Sequence, residues 1–195
     1  MKHILIVLAA LLISVASYSQ GFYSLDYTMS FGLGETDNYI NNTSFRGITF
    51  EGRGFISDNI SLGGVFTWST FYEELPDESF TEDNMTIHGT QYRYLNAFPI
   101  LAQAHYYLST EEDKPWVYMG FGTGAYKIIQ RTEAGVWASE QNNWHFGISP
   151  EIGMFYPVSN SAGINVSLRY HYVLKTSETT DQSWLGLNVG IAWGR

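Results

Sequence analysis

The sequence predicts an all-β fold, an eight-stranded antiparallel up-and-down transmembrane β-barrel, and three patterns predict it. Apolar and polar residues alternate with period two almost from end to end, the alternating segments number eight, and the connections between them are by turns long and short. Period two puts successive side chains on opposite faces of a strand, so a clean alternation means that the two faces meet different surroundings. An even number of segments, each of about ten residues or more, suits tilted strands that cross a hydrocarbon core and close on themselves.

Residues 1–20 stand apart from this pattern. Lys2 and His3 precede an apolar run from Ile4 to Val15, and small and polar residues follow at Ala16, Ser17, Tyr18, Ser19 and Gln20. A basic start, an apolar stretch of about a dozen residues and a small-residue exit predict a cleaved secretory signal peptide, too short for a membrane span. Cleavage is expected between Ser19 and Gly21, which leaves 21–195 as one barrel domain.

The first segment states the alternation most plainly. Tyr23, Leu25, Tyr27, Met29, Phe31 and Leu33 share one parity, and Ser24, Asp26, Thr28, Ser30, Gly32 and Gly34 share the other. Segment two, about 45–56, sets Ile48, Phe50 and Ile56 against Thr49, Glu51 and Arg53. Segment three, about 60–72, sets Ile60, Leu62, Phe66, Trp68 and Tyr72 against Ser61, Gly63, Thr67 and Ser69. In segment four, about 91–108, Tyr92, Tyr94, Phe98, Ile100, Ala102, Ala104, Tyr106 and Leu108 oppose Gln91, Arg93, Gln103 and His105. Segment five, about 116–131, alternates Val117, Met119 and Phe121 with Gly120, Gly122 and Gly124, with a parity slip expected before Tyr126. Segment six, about 144–156, sets Trp144, Phe146, Ile148, Ile152, Met154 and Tyr156 against His145, Ser149 and Glu151. Segment seven, about 163–174, sets Ile164, Val166, Leu168, Tyr170, Tyr172 and Leu174 against Asn165, Ser167, Arg169 and His171. The last, about 184–194, sets Leu185, Leu187, Val189, Ile191 and Trp193 against Gly186, Asn188, Gly190, Ala192 and Gly194.

Long polar connections are expected at 35–44, 73–90, 132–143 and 175–183, and short turns at 57–59, 109–115 and 157–162, where Asp58-Asn59 and Asn160-Ser161 are turn formers. Long loops on one rim and short turns on the other are the asymmetry of outer-membrane barrels. Aromatic placement agrees. Trp68, Tyr72, Tyr92, Tyr94, Trp144, Tyr170 and Tyr172 fall near the long-loop ends, and Tyr106, Trp116, Tyr156 and Trp193 near the short-turn ends. These form two expected interfacial girdles, since Trp and Tyr rings have one apolar and one wet end. The opposite polarity, a soluble barrel with the apolar parity inside, founders on volume, because an eight-stranded lumen has little room for so many large rings.

Composition narrows the function classes. The mature chain carries nine Lys and Arg against nineteen Asp and Glu, a formal charge of about −10, so nucleic acid is not an expected partner. With no cysteine, disulfides, thiolate metal sites and cysteine nucleophiles are excluded. No cofactor and no metal are expected. The inward parity carries Asp26, Glu51, Arg53, Arg93, His105, Glu151, Arg169 and His171. Buried charges need partners, so Glu51 and Glu151 with Arg53, Arg93 and Arg169 are expected to form a lumenal salt-bridge network that fills a narrow barrel. A gate or narrow polar path is the functional alternative.

A hydrolytic site would need Ser, His and carboxylate together. His88 with Ser79 or Glu82, and His145 with Ser139 or Glu140, match no such spacing. The acidic run Glu73, Glu74, Asp77, Glu78, Glu82, Asp83 lacks the regularity of a calcium loop. Gly120, Gly122 and Gly124 precede no helix, so they are no phosphate loop; inward glycines leave room for large neighbours.

Three stretches carry a family likeness: Tyr94 to Leu108 (YLNAFPILAQAHYYL), Lys114 to Tyr126 (KPWVYMGFGTGAY) and Ile148 to Gly153 (ISPEIG). With the Ser19-Gln20 exit, the chain resembles the small outer-membrane β-barrels typified by OmpX, OmpW and the OmpA barrel, above all their Bacteroidota members. The resemblance covers the whole mature chain and implies a fold rather than an activity. It departs at the C-terminus, where Gly194 and Arg195 follow Trp193 in place of a terminal aromatic. It implies residence in the bacterial outer membrane, contact with membrane lipid and lipopolysaccharide, insertion by the outer-membrane assembly machinery, and a monomer. The expected role is structural, protective or surface-interacting and not enzymatic. The alternatives are porin-like transport of small or amphipathic solutes and, third, lipid A modification.

Overall fold

A computed structural model describes residues 21–82, 85–110, 114–176 and 179–194, and for 77–88 the backbone alone is considered. The signal-peptide expectation over 1–20 therefore lies outside the described residues, as do the side chains of Ser79, Glu82 and His88 and much of the acidic run.

Eight strands follow in order: β1 (Gly21–Leu33), β2 (Gly47–Ser57), β3 (Ile60–Glu82), β4 (Met85–Tyr107), β5 (Trp116–Ala134), β6 (Trp137–Ser159), β7 (Ala162–Val173) and β8 (Gln182–Trp193). Every neighbour is antiparallel and next in sequence, and β8 returns to β1, so the sheet is a closed barrel. Closure pairs every strand within the barrel wall, which is what lipid demands of a β-structure. No described helix is long and apolar enough to cross a membrane.

The two faces differ as the alternation predicts. Leu25, Phe50, Phe66, Ile100, Phe121, Phe146, Ile152 and Ile191 all point out of the barrel and are exposed. Their parity partners Ser24, Thr49, Thr67, Gln103, Ser149 and Glu151 are buried inside. An outward surface of this extent and apolarity has no counterpart on a soluble monomer.

Three expectations are corrected. The segments at 73–90 and 132–143 are not loops: β3 runs on to Glu82 and β4 starts at Met85, while β5 and β6 are joined by a tight turn between Ala134 and Trp137. Gly135 supplies the left-handed backbone of that turn at φ 61°. The first connection holds a five-residue helix, α1 (Glu35–Tyr39), too short to produce a periodicity. No parity slip occurs in β5. Its register is unbroken from Trp116 to Ala134 with β6 and from Tyr118 to Ala134 with β4, so Tyr126 is an inward residue, fully buried.

The same parity moves Trp116 out of the girdle. It is 9% exposed and packs inside against Phe155, with ring centroids 5.2 Å apart, whereas Trp68, Trp144 and Trp193 are outward at 48%, 56% and 42%. Tyr106 and Tyr156 are also exposed outward, and Tyr72, Tyr92, Tyr94, Tyr170 and Tyr172 are partly exposed on the outer parity. In single-tryptophan variants reconstituted with bromine-labelled lipid, Trp68, Trp144 and Trp193 are expected to be strongly quenched and Trp116 little. Equal quenching at all four positions would contradict the inward placement.

Candidate functional site: the lumenal ion cluster and the outer mouth

The lumen is filled in layers, and strand register decides which residues share a layer. Near the short-turn end, Phe22, Tyr107, Trp116, Tyr118 and Phe155 form an aromatic layer with Ala192. Above it lies the ion cluster. Glu51 and Arg53 come from β2, His105 from β4, Glu151 from β6 and Arg169 from β7, where Glu151 and Arg169 are direct cross-strand partners. Arg169 Nη2 donates to Glu151 Oε2 at 2.6 Å and to Glu51 Oε2 at 3.0 Å, bridging the two carboxylates across the barrel. Arg53 Nε donates to Glu51, and its Nη2 stands 3.8 Å from Glu151. All four side chains are 2% exposed or less, so the ions are compensated by each other and not by water.

Hydrogen bonds complete the cluster. Arg53 donates to the hydroxyls of Tyr107 and Tyr118 at 3.1 and 2.9 Å, and its guanidinium lies 4.2 Å over the Tyr118 ring. Gln103 donates to Glu51, and Tyr118 donates to Asn165 at 2.9 Å. Asp26 sits beside the cluster, held by Ser24 at 2.8 Å and Asn165 at 3.3 Å. His105 Nε2 lies 3.4 Å from Glu151 and 3.5 Å from Glu51. Gly120 makes this approach possible, since it is the register partner of both His105 and Glu151. A Cβ there would stand 2.5 Å from His105 Cδ2.

Glu51, His105 and Glu151 also bring three potential metal-ligand atoms within 4.8 Å of one another. Two guanidiniums already occupy those carboxylates, so a divalent cation would enter beside two fixed positive charges. The donor set is better matched by the arginines than by a metal.

Further out, hydroxyls and an amide form a neutral layer: Thr28, Thr49 and Thr67 are linked at 2.8 and 2.9 Å, and Thr28 reaches Asn188 at 2.8 Å. Over this lies a second apolar layer, which includes Ile40, Phe71, Leu95, Tyr126, Val173 and Trp184.

Two predicted members stand outside the ion cluster. His171 belongs to the upper layer, stacked on Trp184 at 4.7 Å and 3.1 Å from the Tyr126 hydroxyl. Arg93 is higher still. It bonds Gln91 at 2.8 Å and the Tyr39 carbonyl at 3.0 Å, and its guanidinium covers the Tyr39 ring, so it fastens α1 across the mouth. The expectation that Arg93 pairs with the lumenal glutamates is therefore corrected: it shares their face but lies too far along the strand. His145 is also engaged, with Nδ1 3.0 Å from the Leu174 carbonyl and Nε2 3.3 Å from the Thr179 hydroxyl, and no hydrolytic pairing with Ser139 or Glu140 is formed.

Sequence reasoning missed the inward aromatics Phe22, Phe71, Tyr107, Tyr118, Phe155 and Trp184. The available signal was parity itself, because each lies on the polar face of its strand.

At the outer mouth, α1, β5, β6 and the segment leading into β8 line a half-open cavity of 440 Å³. Burial pushes the Tyr39 phenol above its ordinary range, so it stays protonated in its 2.8 Å hydrogen bond with Thr132.

An apolar outer face, a paired wall and a buried ion cluster together define a transmembrane β-barrel with the fold of the small outer-membrane barrels. Among solved structures it is similar to the attachment invasion locus protein Ail of Yersinia pestis, with a TM-score of 0.56 and 11% identity over 91% of this chain and 99% of that one. It is also similar to OprG from Pseudomonas aeruginosa, with a TM-score of 0.55 and 10% identity over 91% and 96%. Neisserial surface protein A gives a TM-score of 0.54 and 14% identity over 90% and 97%. Identities this low reflect a shared fold and leave activity open. No protein-family model and no curated protein sequence matches the chain.

Proposed function

We propose that the chain is an exported, integral protein of the bacterial outer membrane whose lumen is closed and whose role is interaction at the cell surface. The observation that carries this reading is the contrast between interior and rim. The interior stacks an aromatic layer, a self-neutralised ion cluster, a hydroxyl layer and a second apolar layer. A conducting path would need charge rings around water, not carboxylates and guanidiniums locked to each other. The rim, by contrast, is built outward. β3 leaves its partner β2 after Ser69 and continues, and β6 pairs with β7 only from Gly147 onward. The strands β3 to β6 thus extend beyond the closed wall as a four-stranded sheet, its β3 side held by the segment 41–46 as far as Glu73.

The two sides of this sheet differ. The β3 side carries Glu73, Glu74 and Pro76 and a register shift between Leu75 and Glu78, devices that discourage strand pairing. The β6 side, residues 138–144, reads ASEQNNW, with one charge and no proline, and no described strand pairs with it away from β5. It is the side on which an extended segment of a partner could add a strand. Lipopolysaccharide and acyl chains would surround the outward apolar face, and the barrel, having no open strand in its wall, would stand as a monomer.

Refolded protein in planar bilayers tests the reading. The expected result is no ion conductance and no solute flux, together with faster migration of the unheated than of the boiled protein in SDS gels. Stepwise conductance would overturn the closed lumen in favour of transport.

A further inference from the structure

We propose that the cavity at the outer mouth is a binding site for a neutral saccharide. The proposal deepens the surface-interaction reading and rests on it. The cavity, 440 Å³ in volume, takes a polar group from nearly every direction and almost no charge. Its β5–β6 wall is made of two cross-strand pairs on the inward parity, Gln130 opposite Gln141 and Thr132 opposite Ser139. The two pairs stand one two-residue step apart, about 6.6 Å along the strand, a spacing comparable to one sugar ring. Gln182, Thr180 and Asn38 line the other sides.

The composition selects the ligand by elimination. No Lys or Arg lines the cavity, and the nearby Arg93 is already bonded to Gln91 and the Tyr39 carbonyl, so a phosphate, sulfate or carboxylate would meet no direct cationic partner, and the carboxylate of Glu35 would repel it. No aliphatic side chain lines it either, and its apolar surface is the Tyr39 ring and the stems of Thr and Gln side chains, too little for a lipid tail but enough for the face of a sugar ring. What remains is a ligand dense in neutral donors and acceptors. Carboxamides offer a donor and an acceptor side by side, which matches adjacent sugar hydroxyls, and the Thr and Ser hydroxyls can take either role.

The wall is also prepared for this use. One part is held in place by internal bonds: Tyr39 to Thr132 at 2.8 Å, Thr36 to Gln182 at 2.8 Å, and Gln182 to Thr180 at 3.2 Å. The other part is unspent, since Gln130, Gln141 and Ser139 have no side-chain hydrogen bond to another described residue. Beneath the cavity the same strands turn apolar, with Ile128 one inward step below Gln130 and Trp184 one below Gln182, both buried in the upper layer. The site is therefore a cup with a fixed back and a free front.

Full-length mature barrel in phosphatidylcholine nanodiscs would be titrated with neutral di- and trisaccharides of glucose, galactose, mannose and N-acetylglucosamine, and with their sulfated forms. Saturation-transfer NMR and calorimetry would read the binding. At least one neutral sugar is expected to bind, its sulfated form about tenfold more weakly or worse, and Q130A/Q141A to lose about tenfold, the equivalent of one to two neutral hydrogen bonds. Glu140→Gln, on the outer parity of the same strand, should bind as the parent does. Repeating the titration with lipopolysaccharide in the nanodiscs separates two sources of the same chemistry. Competition by lipopolysaccharide assigns the cup to its sugar chain, and unchanged binding assigns it to a free glycan. Binding by none of the neutral sugars, preference for the sulfated forms, or full binding by folded Q130A/Q141A would overturn the proposal. Conductance would overturn the closed-lumen reading and leave this titration unaffected.

Discussion

Arg169→Met is expected to destabilise the folded barrel by about 3–5 kcal/mol, the range for removing one member of a buried ion pair. Arg169 is the residue that joins both lumenal carboxylates, at 2.6 Å to Glu151 and 3.0 Å to Glu51. Without it, Arg53 alone faces two glutamates, and one negative charge is left in a site from which water is excluded. The loss should therefore come from uncompensated charge and not from missing volume, since methionine keeps most of the side chain. The double variant Arg169→Met with Glu151→Gln removes one charge of each sign and is expected to recover at least half of the loss. Urea unfolding in lipid vesicles, followed by tryptophan fluorescence, measures both. A single variant within about 1 kcal/mol of the parent, the size of one ordinary hydrogen bond, would mean that the cluster is not the electrostatic unit described.

Phe66→Arg is expected to cost about 2–4 kcal/mol, the penalty for a cation near the middle of a bilayer on a lipid-facing strand. Phe66 lies in β3 between Leu62 and Trp68 on the outward face, paired with Phe50 and Ile100, both exposed on that face. Phe66→Leu at the same position should be nearly neutral, because lipid accepts either side chain. In water the order would differ: a solvent-exposed arginine would cost little. The same unfolding assay decides, and a Phe66→Arg barrel as stable as Phe66→Leu would remove the membrane from around this face.

Both predictions depend on a face assignment that is readable in the sequence, whereas the partners within each face are not. Asp26, Glu51, Arg53, Arg93, His105, Glu151, Arg169 and His171 share the inward parity, and parity needs only the residue's own strand. Whether two of them touch depends on register between strands far apart in the chain, such as the 118 residues that separate Glu51 from Arg169. That is why Arg93 could be expected in the cluster and yet lie at the mouth, one face but another depth. Trp116 and Tyr126 mislead for a related reason. Aromatic rings suit both lipid interfaces and tight interiors, so residue type points outward while strict alternation, which holds through β5 without interruption, points inward. The extensions of β3 to β6 escaped notice because polar residues on both faces of a strand in water look the same as a loop.

By itself, the sequence determined that the chain forms eight two-faced strands, which face of each is apolar, and therefore that it closes into a barrel with an oily exterior. Those properties are local, set by a repeat of two residues and the polarity of each side chain. Only the tertiary structure decided how the strands slide against one another, and with that the bridging of Glu51 and Glu151 by Arg169, the space Gly120 leaves for His105, and the meeting of Gln130, Gln141 and Gln182 around one cup. Register is a property of pairs of strands, fixed by how all eight fit into one closed cylinder, and no single segment carries it.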